Sequence, residues 1–185
     1  MSEELILVDS EDREIGNLDK ERCHDGEGHR HRAFSILLFD PEQRVLLQQR
    51  STAKRLWPLY WSNSVCSHPR RGETLAVATQ RRVREELGID ASLEFLYRFE
   101  YHARDGERGC EHEVCSVFIG RVDGERAARV VIDPAEIAAW EWVPRAEVGR
   151  RIEESPQSFT PWFRMEWAVI EDSYADRVFG PDRAG

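Results

Sequence analysis

The segment GETLAVATQRRVREELG, at residues 72–88, has the most regular pattern in the chain. Glutamate stands near its start, and Gly88 follows its last apolar residue, a position where glycine commonly ends a helix. Four apolar side chains recur at the spacing of one helical face: Leu75, Ala78, Val83 and Leu87. The segment therefore predicts an amphipathic helix from Glu73 to Leu87 that stops at the glycine.

The residues before this helix have the composition of strands. AFSILLFD at 33–40 and VLLQQR at 45–50 predict a hairpin whose turn, PEQR, has Pro41 directly after Asp40. The segment LWPLYWSNSVCSHP, at 56–69, is aromatic and broken by prolines. It predicts extended strand and loop rather than helix.

After the helix the chain returns to strand-forming residues. LEFLYRFEYHAR at 93–104 and HEVCSVFIGRV at 112–122 predict a longer hairpin. WEWVP predicts a last short strand, and helices are predicted for residues 144–154 and 160–178, each with proline near its start. Because strands and helices interleave without regular βαβ repetition, the sequence predicts an α+β fold. We expect a mixed β-sheet flanked by helices, in a single compact domain over residues 1–185.

The bulk composition limits the classes of function. Hydrophobic residues make up 41% and charged residues 33%, which is typical of a globular protein. No stretch approaches the ~20 apolar residues of a spanning helix, and the N-terminus lacks the layout of a signal peptide. The net charge of -9 repels nucleic acid and anionic membranes but leaves room for a small anionic ligand. We expect a cytoplasmic protein, a monomer or weak dimer, with reduced cysteines and no nucleic-acid or membrane partner.

The helix at 72–88 also carries a pattern of carboxylates. Glutamates on one helical turn can hold a hard divalent cation through oxygen ligands, and such a cation can bridge two phosphates. Seven residues match the Nudix signature at its spacings: Glu73, Arg81, Val83, Glu85, Glu86, Gly88 and Ile89. Ser67 and Arg82 depart from it, and Arg82 stands where the Nudix hydrolases have a metal-binding glutamate, which disfavours a normal hydrolase. An ordinary charged helix would explain the glutamate pair by itself.

Side chains suited to a metal also occur outside the helix: His24, His31, His68, Glu111 and Glu113. In a strand Glu111 and Glu113 point to one face and His112 to the other, so the two carboxylates can share one ion. Three imidazoles and two carboxylates suit a five- or six-coordinate manganese or zinc ion. Any one of these histidines could instead be an ordinary surface or core residue. A structural zinc site that includes Cys23 and Cys110 is a rival, although its ligands would be dispersed.

Five motifs occur in order along the chain: CHDGEGHRHRAFS, WSNSVCSHPRRGE, RVREELG, CEHEVC and SFTPWF. Together they resemble the type I isopentenyl-diphosphate isomerases, from about Leu5 to the terminal helix. The resemblance implies a Nudix-type fold with a core at about residues 30–175 and an N-terminal extension that supplies metal ligands. It also implies isomerisation of isopentenyl diphosphate to dimethylallyl diphosphate, by protonation and deprotonation of the alkene, in isoprenoid biosynthesis.

The resemblance further implies roles for individual side chains. Cys66 and Glu113 would be the catalytic pair, with Tyr101 beside the glutamate. A Mn²⁺ or Zn²⁺ ion would be bound by His24, His31, His68, Glu111 and Glu113. Glu86 would contact a Mg²⁺ ion on the substrate diphosphate. The side chains around the diphosphate and over the hydrocarbon would be Lys20, Arg50, Lys54, Arg82 and Trp162.

Two other functions remain open from the sequence. A Nudix pyrophosphohydrolase of a nucleoside or isoprenoid diphosphate would use the same helix, and release of phosphate products would identify it. A catalytically inactive Nudix domain that binds a ligand would be expected to lack Cys66 or Glu113, and both are present. The basic residues could also be ordinary solvated surface charges.

Overall fold

A central strand, β3 (His31–Phe39), organises the fold in the computed structural model, which describes residues 3–180. β3 pairs in parallel with β8 (Cys110–Arg121) along its whole length, from His31 opposite Glu113 to Phe39 opposite Arg121. On its other side β3 pairs in antiparallel fashion with β6 (Val65–Ser67). Nine strands join into one mixed sheet within the described residues.

The outer strands extend this sheet on both sides. β7 (Ser92–Arg104) forms a long antiparallel hairpin with β8, which confirms the hairpin predicted after the helix. β4 (Val45–Arg50) meets β3 at one pair only, Phe39 opposite Val45, so the other predicted hairpin is barely formed. β4 turns away because it pairs with β9 (Ile137–Val143) and with β5 (Trp61–Ser62).

The N-terminal residues form a hairpin that the sequence did not predict. β1 (Glu4–Val8) and β2 (Glu14–Asp19) pair with each other, and β1 touches β3 at Leu7 opposite His31. The short helix α1 (Lys20–Cys23) follows directly. This arrangement brings the end of α1 close to the first residues of β3.

The predicted central helix is α2 (Leu75–Leu87). Thr74 caps its first turn by accepting a hydrogen bond from the backbone N–H of Val77. Gly88 ends the helix in the left-handed conformation, with φ of 66°, which residues with a side chain rarely adopt. The helix and its glycine stop are therefore confirmed.

The remaining helices lie in the second half of the chain. They are α3 (Gly124–Ala127), α4 (Arg145–Glu154), a 3₁₀ turn (Pro156–Ser158) and a C-terminal run of α5 (Pro161–Val169), a π-helical segment (Ile170–Tyr174) and α6 (Ala175–Phe179). The predicted terminal helix is thus present, with a π segment inside it that no sequence pattern indicated. α3 was not predicted.

The core lies on both faces of the sheet. Along β3, Ala33, Leu37 and Phe39 pack on the face covered by the C-terminal helices, whereas Phe34, Ile36 and Leu38 pack on the face covered by α2. Complete burial of one such large side chain contributes about 1.5–3 kcal/mol. The predicted α+β class, a mixed sheet flanked by helices, is confirmed. Among residues 3–180, no helix is both long enough and apolar enough to span a membrane.

Candidate active site

Four of the predicted metal-ligand side chains come together because of how β3 pairs. His31 begins β3 directly opposite Glu113 of β8, and Glu111 lies two residues earlier on the same face of β8. β6 runs antiparallel to β3 with Ser67 opposite Phe34, so His68 follows at the same end of the sheet. His112 points away and contacts Glu100 on the other face, as the strand alternation predicted.

A close backbone contact holds His24 against the start of β8. The N–H of Cys110 donates to the carbonyl oxygen of His24 at 2.9 Å. Gly109 precedes it with φ of 142°, and a Cβ atom at Gly109 would lie 2.5 Å from the same oxygen. A side chain at position 109 would therefore push the His24 loop away from Glu111.

The imidazoles and carboxylates converge on one point. His24 Nε2 lies 2.9 Å from Glu111 Oε2, His31 Nε2 lies 3.2 Å from His68 Nε2, and His68 Nε2 lies 3.1 Å from Glu113 Oε1. One ligand atom from each of His24, His31, His68 and Glu111 lies within 4.8 Å of all the others. All five side chains are buried. The structure thus gathers every residue predicted for the His/Glu metal site.

Several atoms of this cluster lack hydrogen bonds. Despite their short separation, His24 Nε2 and Glu111 Oε2 have no hydrogen bond of acceptable geometry within the described part of the chain. His31 Nδ1 lies 2.7 Å from the carbonyl oxygen of His29, which leaves Nε2 directed at the cluster. Buried polar atoms that converge without donors fit a shared divalent cation. The cluster therefore has the geometry and chemistry of a metal centre.

The electrostatics of the cluster favour a positive charge at this point. Burial opposes ionisation of Glu113, but the imidazoles of His31 and His68 outweigh it and hold the pKa of Glu113 well below its usual range. Burial lowers the pKa of His68 to about 4, so His68 is neutral near pH 7. Burial also opposes protonation of His31, yet its contacts with Cys23 and Glu113 raise the pKa of His31 well above the ordinary value. A proton is thus favoured where a metal ion fits, and metal binding would release it.

The rival site built on cysteines is not supported. Cys23 Sγ contacts the carbonyl oxygen of His29, and Cys110 Sγ contacts that of Ala103. Within residues 3–180, the group of side chains close enough to share an ion includes no cysteine. All four thiols are free.

Cys66 and Tyr101 frame the cavity beside the metal cluster. Tyr101 stands opposite Glu113 in the β7–β8 ladder, and its hydroxyl donates to Glu113 Oε2 at 2.7 Å. Cys66 and Glu113 line the same cavity, which has a volume of about 280 Å³. Trp162, at the start of α5, donates from Nε1 to Cys66 Sγ at 3.1 Å. Its ring also stacks on Tyr101, with centroids 5.9 Å apart.

The predicted diphosphate-binding side chains gather around the same cavity. Lys20, Arg50, Lys54 and Arg82 all contribute to its lining. Arg50 donates to the carbonyl oxygens of Leu56 and Trp57, and its guanidinium lies 5.2 Å from the Trp162 ring centroid. Arg82 binds Glu86 Oε1 at 2.5 Å, so the glutamate predicted to contact Mg²⁺ is adjacent to the cationic groups. Burial raises the pKa of Glu86, although Arg82 opposes this shift.

Known proteins resemble this chain in both sequence and fold. Residues 29–163 match the NUDIX domain family. The chain is 39% identical over 178 residues to isopentenyl-diphosphate Delta-isomerase 1 of Photorhabdus laumondii, covering 95% of this chain and 99% of that protein. It is 38% identical over 179 residues to the isopentenyl-diphosphate Delta-isomerase of Halorhodospira halophila, covering 96% and 99%. The chain belongs to the isopentenyl-diphosphate Delta-isomerases, within the NUDIX domain proteins.

A solved structure supports the fold of this Delta-isomerase family member. The DR0079 protein of Deinococcus radiodurans superposes with a TM-score of 0.71 at 22% identity, covering 93% of this chain and 99% of that chain. At this identity the likeness concerns the fold alone. It confirms the predicted Nudix-type arrangement of sheet and helices.

Sequence reasoning missed three residues of this family member that lie in the site or influence it. Asn63 Oδ1 accepts hydrogen bonds from Cys66 Sγ at 2.7 Å and from Trp162 Nε1 at 3.2 Å, so it orients both side chains. Glu136 bridges Lys54 and Arg82. Glu166, one turn after Trp162 in α5, is fully buried, and burial raises the pKa of its carboxyl to about 8. Only Asn63 had a local signal, since it lies in the motif that contains Cys66.

Proposed function

We propose that this chain converts isopentenyl diphosphate to dimethylallyl diphosphate by moving one carbon–carbon double bond. The observation that carries the proposal is that Cys66 and Glu113, from separate strands, both line one small cavity that cationic side chains also line. Two proton-transfer groups are required, because one alkene carbon gains a proton while another loses one. The family membership of the chain supports the same reaction.

The protonation states of the pair suit this exchange. Burial, and then the charge of Glu166, raise the pKa of the Cys66 thiol to about 12, so the thiol keeps its proton at neutral pH. Glu113 is ionised under the same conditions because its pKa is held well below the usual range. One group therefore holds a proton and the other can accept one. We assign the catalytic roles to these two side chains, with Tyr101 holding the glutamate through its hydroxyl.

The metal assignment extends the same argument. His24, His31, His68, Glu111 and Glu113 would hold one Mn²⁺ or Zn²⁺ ion, with neutral imidazoles and carboxylates as ligands. When bound, the ion lowers the proton affinity of the carboxylate that it contacts. The second metal, Mg²⁺, would accompany the diphosphate and contact Glu86. Lys20, Arg50, Lys54 and Arg82 would bind the diphosphate oxygens.

Aromatic side chains would protect the reacting carbons. A double-bond shift by protonation passes through a species with the character of a tertiary carbocation, which water destroys. Trp162 stacks near Tyr101 and packs edge-on against Trp57 at 5.2 Å, so this wall of the cavity is apolar. A cation over a desolvated tryptophan face is stabilised by about 2 kcal/mol.

Hydrolysis of a diphosphate is the competing activity. Arg82 disfavours it, because its guanidinium occupies the position of a hydrolase carboxylate and binds both Glu86 and Glu136. A hydrolytic metal cluster on α2 would therefore have a cation in its centre. A cytoplasmic location and the absence of nucleic-acid or membrane partners remain predictions from the sequence.

The test is incubation of the purified protein with isopentenyl diphosphate and Mg²⁺. Phosphorus and proton NMR of the same sample would follow the double bond and any released phosphate together. We expect dimethylallyl diphosphate with the diphosphate intact. Efficient release of phosphate with the double bond unmoved would contradict the proposal and favour the hydrolase.

A further inference from the structure

Glu136 is an acidic residue in a subsite that otherwise attracts anions. It lies directly before β9, and its backbone is fixed by hydrogen bonds from Ser51 N–H to its carbonyl oxygen and from its own N–H to Asp133. Its side chain lines the cavity beside Lys54 and Arg82. The side chain retains 22% of its possible exposure, so solvent and ligands reach it.

Glu136 forms ion pairs with both neighbouring cations. Its Oε2 is hydrogen-bonded to Lys54 Nζ, and its Oε1 lies 3.0 Å from an Arg82 guanidinium nitrogen. Burial opposes ionisation, but Lys54 and Arg82 lower the pKa of Glu136 to about 2, so the carboxylate is charged throughout the neutral range. A diphosphate that approaches these two cations must compete with this carboxylate.

Glu86 adds a second carboxylate to the subsite, which then contains two carboxylates and two cations. Glu86 Oε1 and Glu136 Oε1 both contact the same nitrogen of Arg82, at 2.5 Å and 3.0 Å, so the two oxygens lie close to each other. A free diphosphate carries only negative charge and is repelled by both carboxylates. The magnesium complex of a diphosphate presents phosphate oxygens to the cations and a dication to the carboxylates. The subsite is therefore complementary to the complex and poorly complementary to the free anion.

We propose that Glu136 is a specificity-determining residue, which makes this subsite select the magnesium complex of a diphosphate over the free diphosphate. The proposal rests on the proposed function, since it takes the diphosphate of the substrate as the ligand. Glu136 acts by raising the cost of binding the uncomplexed anion, because like charges at short range reduce affinity for the wrong ligand. Lys54 and Arg82 keep their attraction for phosphate oxygens in either case.

The experiment uses inorganic pyrophosphate as the probe and isothermal titration calorimetry as the measurement. The dissociation constant is measured without added magnesium and with excess magnesium, for the parent protein and for Glu136→Gln, which keeps the shape and removes the charge. The dissociation constant without magnesium, divided by the constant with magnesium, measures how strongly the protein selects the magnesium complex. We expect Glu136→Gln to bind free pyrophosphate more tightly than the parent does, and the ratio to fall by about tenfold.

Two matched variants accompany this measurement. Glu136→Asp keeps the charge and should keep most of the selection. Glu154→Gln changes the net charge equally at an exposed glutamate that pairs with Arg150, and should leave the ratio unchanged. Circular dichroism melting verifies that each variant is folded.

Three outcomes would overturn the proposal. The first is a parent protein that binds pyrophosphate no better with magnesium than without it, or that does not bind it at all. The second is equal weakening of both forms in Glu136→Gln, which would mean that Glu136 only positions Lys54 and Arg82. The third is an unchanged ratio in that variant. Because the probe has no alkene, failure of the isomerisation assay would reject the proposed function separately from this selection.

Discussion

Two charged regions line the same cavity and are built in opposite ways. In the His/Glu cluster, ligand atoms of His24 and Glu111 lie close together without hydrogen bonds. The second region, called the anion subsite, consists of Lys54, Arg82, Glu86 and Glu136. Its two cations already bind carboxylates, so their charges are compensated inside the protein. One region is incomplete without a cation, and the other is complete without its ligand.

The difference determines what binding does in each region. A metal ion entering the His/Glu cluster would satisfy His24 Nε2 and Glu111 Oε2, which have no hydrogen bond, and would replace the contacts among His31, His68 and Glu113. A diphosphate entering the anion subsite must replace Glu136 and Glu86 as the partner of the two cations. Its affinity is therefore the free energy gained from the new ion pairs minus the free energy lost with the old ones. Tight, permanent binding is expected of the metal, and reversible binding of the diphosphate.

The largest effect is expected at Cys66 and Glu113, the two side chains proposed to transfer protons. Cys66→Ala and Glu113→Gln should each lower kcat by at least about 10³-fold, because each removes one of the two groups. Isomerisation followed by proton NMR measures this loss. Cys115→Ala is the control for the thiol, since Cys115 is buried and contacts Ser35 rather than the cavity. Near-normal turnover in either of the first two variants would remove that residue from its assigned role.

The metal cluster is tested by removing one imidazole at a time. His24→Ala and His68→Ala should lower the metal content of the purified protein, or weaken its retention during dialysis by about 10- to 100-fold. Elemental analysis by mass spectrometry gives the metal per chain. His112→Ala is the matched control, because His112 lies between the two strand carboxylates but points to the opposite face. The ligand set would be rejected if both variants kept the metal content of the parent.

The anion subsite is tested by reversing one charge. Arg82→Glu should raise KM for isopentenyl diphosphate at least about tenfold, because the charge-assisted contacts of the guanidinium are replaced by repulsion. We expect no hydrolysis to appear, since a hydrolytic site also needs a placed water and a suitable substrate pose. Arg84→Glu, on an exposed part of the same helix, serves as the control. Strong pyrophosphohydrolase activity in Arg82→Glu would instead favour the hydrolase interpretation.

The last prediction concerns stability rather than activity, at Glu166, a fully buried carboxyl in α5. The pKa of Glu166 is raised from 4.5 to about 8 by burial, so the neutral form is favoured in the folded state. Its contribution to stability is fully present below pH 4.5 and is lost as the pH rises towards 8, by at most about 1.4 kcal/mol per pH unit.

Glu166→Gln removes this titration. The variant should therefore become more stable relative to the parent as the pH increases from 5 to about 8, which urea unfolding at several pH values would measure. Contributions that do not involve Glu166 cancel in the comparison, and both proteins are measured with the same metal content. A constant difference in unfolding free energy across this range would mean that Glu166 is already ionised in the folded protein.

Parts of the fold could be predicted because their signals are local. The cap at Thr74 and the stop at Gly88 depend on neighbouring residues, and so does the period of the apolar face of α2. The hairpin of β7 and β8 also follows from adjacent stretches. The N-terminal hairpin was missed because it is short and β2 buries none of its residues, which leaves a weak pattern in that strand. The pairing of β4 with β9 was missed because it joins residues far apart in the chain.

The sequence by itself determined the chemical components of the site: the thiol, the imidazoles, the strand carboxylates and the cation on the Nudix helix. It also fixed that Glu111 and Glu113 share a face, because strand geometry alternates. Only the tertiary structure decided which of these groups meet. His31 faces Glu113 because β3 and β8 pair in parallel. Glu136 contacts Arg82 because β9, which begins at the next residue, pairs with β4. Contacts between distant segments depend on register and packing, which no local pattern contains.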